Sequence, residues 1–300
     1  MNEIFDKLII RLLFIIIFLI TLFLYKYAHL FFYPSLKKQT FKRFHPTKNP
    51  ADTLHFFSRI LGIGLIFSSL SLDLSNGIVL SIVDFLILSI TFSSFYLISI
   101  FIIESIVLYN FEYHDEILKK KNMTYALICF ANSLATAYIL KTILNIIDSS
   151  LIIFFFTWLF SMVLLGLSVK SFPFLSKLSF NRLIVQKNIS IGLSYMGFIW
   201  GWTLIITSSL NHSLEDIKWY SVQVILKILL CLIILPIFRK GLLWLFLIQE
   251  NIKSNVTKEE DRQEENTGQG IFEGSFFLTS CFLTTVITQQ IHFGTFYPVS

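Results

Sequence analysis

Apolar residues run along this chain in long blocks. Eight of them approach the about 20 residues that an α-helix needs to cross a bilayer. They cover 12–32, 54–72, 77–108, 123–147, 151–169, 189–210, 219–248 and 270–292. The apolar runs are continuous, whereas a membrane β-barrel would alternate. The first block is too long for a signal peptide and has no small-residue cleavage site. The third and seventh exceed the bilayer thickness, so they are expected to tilt or to extend into the cytoplasm. The pattern predicts an all-α polytopic membrane protein with about eight transmembrane helices. Its expected halves are 1–148 and 149–300, four helices each.

Composition agrees with the pattern. Of 300 residues 55% are hydrophobic and only 14% charged, against about 25% charged in a soluble domain. Phe occurs 33 times and Gly 12 times, which excludes a disordered chain, a collagen-like fibre and a disulfide-stapled module. Cys129, Cys231 and Cys281 each lie inside an apolar block without Cys-x-x-Cys spacing, so they read as small hydrophobes.

The net charge of +5 comes from loops. Fifteen Lys and Arg fall in the four connections that follow the odd-numbered blocks. The opposite side receives three: Lys7, Arg11 and Lys218. The positive-inside rule makes the basic side cytoplasmic and puts both termini outside. The expected location is the bacterial cytoplasmic (inner) membrane, with the lipid bilayer as the first partner and no nucleic acid. The charged loop 250–269 reads either as a solvated linker or as a docking segment for a cytoplasmic partner; a membrane-protein partner or a homo-oligomer is also open.

The even-numbered blocks start alike. Asn49, Asn122, Asn188 and Asn266 each precede a small residue or two and then Leu or Ile five positions on. Asn at a helix start accepts a hydrogen bond from an otherwise orphaned backbone amide. Nine residues after each Asn stand Ser58, Ala131, Gly197 and Ser275, and thirteen after stand Gly62, Ala135, Gly201 and Thr279. Small residues four apart allow close helix approach in lipid. The repeating unit is an odd helix, a basic loop and an Asn-capped even helix. Four such units make a parallel repeat, with the even helices expected at the centre.

The segments NMTYALI at 122–128 and NISIGLSYMG at 188–197 resemble the helix starts of small bacterial inner-membrane proteins of domain of unknown function 350 (DUF350). GIFEGS at 270–275 is similar to the terminal helix of that family. The resemblance implies paired four-helix copies fused into one chain. Pro50, Asp52 and the acidic loop before the last block depart from the pattern. The resemblance implies no chemistry.

Charged and polar residues at membrane depth are functional candidates: Arg59, Asp84, Asn132, Lys141, Lys227, Arg239 and Glu273. Arg59, about 15 Å along its helix, reads either as a substrate or ion contact in a cavity or as a satisfied structural residue. Asn132 takes its place in the fourth block, and Phe198 and Phe276 in the sixth and eighth. Asp84 and Lys141 are expected to pair, Glu273 to cluster with Arg239 and Lys240, Glu104 to snorkel to the interface, and His55 to be interfacial. No hydrolase, phosphate-binding or metal-spaced motif occurs. The expectation is therefore no enzyme, no cofactor and no metal. A small transporter or channel-like protein leads, and a non-catalytic membrane scaffold is the alternative.

Overall fold

The computed structural model describes residues 2–34, 48–72, 77–146, 150–176, 179–212, 217–247, 267–289, 291 and 293. They form α-helices and no strand: α1 (Asn2–Phe32), α2 (Pro50–Phe67), α3 (Ile78–Val107), α4 (Met123–Ile146), α5 (Leu151–Ser176), α6 (Phe180–Val185), α7 (Ile189–Leu210), α8 (Ile217–Leu245) and α9 (Thr267–Thr288). A π-helical turn, His114–Lys119, precedes α4. The fold is that of an all-α polytopic membrane protein. The chain forms two compact units, Met1–Leu144 and Asn145–Ser300.

Seven of these helices are long and apolar enough to cross a membrane, one fewer than the eight blocks. The exception is α2. Its 18 residues include Asp52, His55 and Arg59, and the last two are turned wholly into the protein.

The connections hold two short elements that hydropathy did not show, the π-helical turn and α6. Each ends in a left-handed Lys followed by Asn: Lys121 (φ 52°) before Asn122, and Lys187 (φ 58°) before Asn188. The Asn amide closes the turn behind it, Asn122 onto the Glu116 carbonyl at 2.8 Å and Asn188 onto the Leu183 carbonyl at 3.0 Å. The repeated Lys-Asn pair thus ends one helix and starts the next, which combines a left-handed helix stop with an N-cap position.

The Asn side chains then differ. Asn49 Oδ1 accepts from the Asp52 amide while its Nδ2 donates to the Ile117 carbonyl at 2.8 Å. Asn122 accepts from the Tyr125 amide and donates to Glu116. Asn188 makes no side-chain cap, contrary to expectation. Asn266 lies outside the described residues.

Helices α4 and α7 are the most enclosed, each in its own unit, whereas α1 and α8 keep most of their surface outward. The expectation that all even-numbered spans are central fails for α9. Its buried residues are Gly270, Gly274, Ser280, Cys281, Thr284, Thr285 and Thr288, which fall on one side of the helix. Ser275 and Thr279 lie on the exposed face, so the small pair there is displaced from the packing register by one position. Ala131 and Ala135 are buried in α4 as expected.

The α7–α9 seam is backbone against backbone. A Cβ on Gly197 would lie 2.2 Å from the Gly274 carbonyl oxygen, and one on Gly201 would lie 2.9 Å from Cys281 Sγ. Gly62 of α2 is likewise filled by a neighbour, the Tyr96 hydroxyl of α3, 1.7 Å from where a Cβ would stand.

Four threonine hydroxyls of α7 and α9 are satisfied within their own helices. Thr203, Thr207, Thr284 and Thr288 each donate to the carbonyl four residues back at 2.8–3.0 Å. Without water to bond, this is how a spanning helix carries Thr at low cost.

Candidate functional site

The first unit gathers its polar residues at one place. Arg59, buried on α2, extends back toward the N-terminal end of its helix, the direction that helix geometry favours. Its guanidinium pairs with Glu104 Oε1 of α3. It also donates to Ser58 Oγ at 2.8 Å and to the Cys129 carbonyl of α4 at 3.3 Å. Three helices therefore share one cation. An unpaired charge here would cost several kcal/mol, so the pairing decides the local packing.

Glu104 Oε2 accepts from the Tyr33 hydroxyl at 3.3 Å. An aromatic cluster closes over the pair: the Tyr33 and Tyr113 rings are 4.4 Å apart, and His55 lies 4.8 Å from Tyr113 and 5.3 Å from Tyr33. Tyr113 donates to Asp52 Oδ1 at 2.5 Å. Burial and the neighbouring Asp52 push the Tyr113 hydroxyl well above the usual phenol range, so it stays protonated as a donor. Behind Arg59, Tyr96 and Ser133 are hydrogen-bonded at 2.5 Å, and Ser133 donates to the Ser58 carbonyl at 2.9 Å.

A cleft of about 570 Å³ leads to this centre. Its walls include Tyr33, Phe101, Glu104, Ser105, Tyr113 and Tyr125. Glu104 belongs both to the cleft and to the buried pair, so it connects the outside of the unit with Arg59.

A family model described as Domain of Unknown Function (DUF350) matches the chain twice, over residues 3–144 and 146–287. The chain belongs to the DUF350 family. It carries two fused copies of the domain. No curated protein and no solved structure matches it.

The two DUF350 copies use the same seam differently. Six residues after the Asn stands His55 in the first copy and Ser194 in the second; ten after stand Arg59 and Phe198. Ser194 donates to Glu273 Oε2 at 2.9 Å, and Gln269 donates to Glu273 Oε1 at 3.0 Å. Phe198 stacks on Phe277 at 4.7 Å and meets Phe172 at 5.1 Å. Where the first copy buries a guanidinium, the second buries aromatic rings.

Several expected placements change. Asp84 is exposed on α3, and it forms no ion pair with Lys141. The buried face of α3 runs through Ser81, Phe85, Ser89, Ser93, Tyr96, Ile100 and Glu104; Asp84 projects to the side of it. Glu104 does not snorkel, because Arg59 holds it inside. His55 is fully buried, not interfacial. Arg239 is exposed and lies 5.8 Å over the Phe276 ring; among the described residues it makes no ion pair with Glu273. Asn132 and Lys227 are buried on α4 and α8. The Arg59 partner was missed because Glu104 looked terminal. The signal that could have found it is the Ser81, Ser89, Ser93 and Tyr96 stripe, which marks the inward face and leads to Glu104.

Proposed function

We propose that this DUF350 protein is a small transporter or channel-like protein of the bacterial inner membrane, neither enzymatic nor cofactor-dependent, with its solute path in the first copy. The observation that carries this reading is the cleft ending on the Glu104–Arg59 pair. Ionisable residues at membrane depth are costly and mark solute or ion paths. A carboxylate that lines a cleft while holding a buried guanidinium can exchange that partner for an incoming ion or proton. The basic connections lie on the cytoplasmic side and the termini outside, by the excess of Lys and Arg. The cleft then opens toward the cytoplasm, beside the connections that hold Tyr33 and Tyr113.

Flux of common ions and small solutes into proteoliposomes tests the reading. Ser105 is an exposed cleft-wall residue, so Ser105→Trp should block the cleft without disturbing the core. Expected are measurable flux in the wild type and its loss in Ser105→Trp at unchanged melting temperature. The absence of flux across the panel, with a membrane protein that stays bound through purification, would favour the scaffold. The second copy supports that alternative, since its seam is occupied by glycines and aromatic rings.

A further inference from the structure

Next to the ion pair stand two donors that the transport reading does not use, His55 and Cys129, with Glu104 shared between the two. One ligand atom each of His55, Glu104 and Cys129 lies within 4.8 Å of the other two, and all three residues are buried. His55 is fully buried, and among the described residues neither of its ring nitrogens has a hydrogen-bond partner. Buried imidazole nitrogens without partners forfeit the hydrogen bonds they had in water. Tyr33, Tyr113 and His29 surround the ring through aromatic contacts only. The Cys129 thiol stands across from it on α4.

We propose that the first copy binds one soft monovalent cation, Cu(I), between the His55 imidazole and the Cys129 sulfur.

Softness selects the ligands and charge selects the ion. Thiolate and imidazole suit soft and borderline metals such as Cu(I) and Zn(II). Glu104 is a weak third ligand, since Arg59 occupies Oε1 and Tyr33 occupies Oε2. Arg59 and Glu104 together are neutral. Binding breaks the Cys129 S–H bond, forms an Sγ–Cu bond and releases the proton to solvent, while copper stays in the +1 state. The site is neutral before and after. A divalent ion bound by the same groups would leave one uncompensated positive charge beside Arg59 in a low-dielectric interior, which costs several kcal/mol. Metal–nitrogen and metal–thiolate bonds are about 2.0–2.3 Å, so donors up to 4.8 Å apart close on an ion with sub-ångström side-chain movement. The second copy has Ser194 and Glu273 at the corresponding register positions, hydrogen-bonded to each other. One such site per chain follows.

The test titrates the full chain in detergent, anaerobically and with ascorbate, with Cu(I) delivered from its bicinchoninate complex. Expected is one more Cu(I) bound by the wild type than by Cys129→Ala or His55→Gln, with one proton released. Zn(II) in the same titration should show no such difference. The copper X-ray absorption spectrum of the wild type keeps the test independent of how the variants fold: with one equivalent of Cu(I) it should show one sulfur and one imidazole nitrogen bound to copper. Equal uptake by all three proteins, a copper shell that lacks either the sulfur or the imidazole, or Zn(II) retained by His55 and Cys129 in place of Cu(I) would each overturn the proposal. None of these results depends on flux, so they leave the transport reading to its own experiment.

Discussion

Arg59 and Glu104 are 45 positions apart in the chain and form one buried ion pair between α2 and α3. The pair explains why α2 can be the least apolar of the long helices: its charge faces a carboxylate and backbone carbonyls instead of lipid. Removing one partner strands the other, at a cost of roughly 3–5 kcal/mol. Arg59→Met and Glu104→Gln should each lower thermal stability in detergent sharply. The double variant Arg59→Met/Glu104→Gln should recover much of the loss. Additive losses in the double variant would show that the two side chains are not coupled.

Asp84→Asn provides the contrast. Asp84 is exposed and unpaired with Lys141, and substitutions at such places usually stay within about 0.5 kcal/mol. Its melting temperature should match the wild type, and so should that of Lys141→Met. A large loss in either would restore the pairing of these two residues.

Along the α7–α9 seam, Gly197 has no room for a methyl group, because the Gly274 backbone occupies the space. Gly197→Ala should cost about 1–3 kcal/mol, the usual range for overpacking. Ser275→Ala, on the exposed face of α9, should cost close to nothing. If the two melt alike, the helices do not meet at Gly197.

Lys187 adopts a left-handed conformation between α6 and α7. A β-branched residue tolerates that conformation poorly, at about 1–2 kcal/mol. Lys187→Val should therefore destabilise the protein more than Gln186→Val, whose position has an ordinary φ of −74°. The measurement is the difference in melting temperature between the two variants. Equal values would mean that the turn relaxes.

Membrane orientation is open to a fusion experiment. With the basic connections inside, alkaline phosphatase fused after Gln289 should be active, and fused after Leu247 inactive. The opposite pattern would invert the cytoplasmic assignment, and with it the side on which the cleft opens.

What the sequence determined by itself was the all-α membrane class, the positions of the long helices, the helix starts at Asn49, Asn122 and Asn188, and the two fused DUF350 copies. Those features are local: twenty apolar residues declare a span whatever they pack against, and a Lys-Asn pair ends and starts helices by its own backbone chemistry. The tertiary structure alone decided which polar residues meet. Helix α3 carries only a faint polar stripe, Ser81, Ser89, Ser93 and Tyr96, and the rotation that turns Glu104 inward and leaves Asp84 outward is set by the Tyr96 hydroxyl lodging against Gly62 and by Arg59 reaching across from α2. The α9 packing face, one position away from its small-residue pair, was decided the same way by the Gly197–Gly274 backbone approach. Helical periodicity fixes which residues share a face, whereas only the neighbouring helix fixes which face is buried.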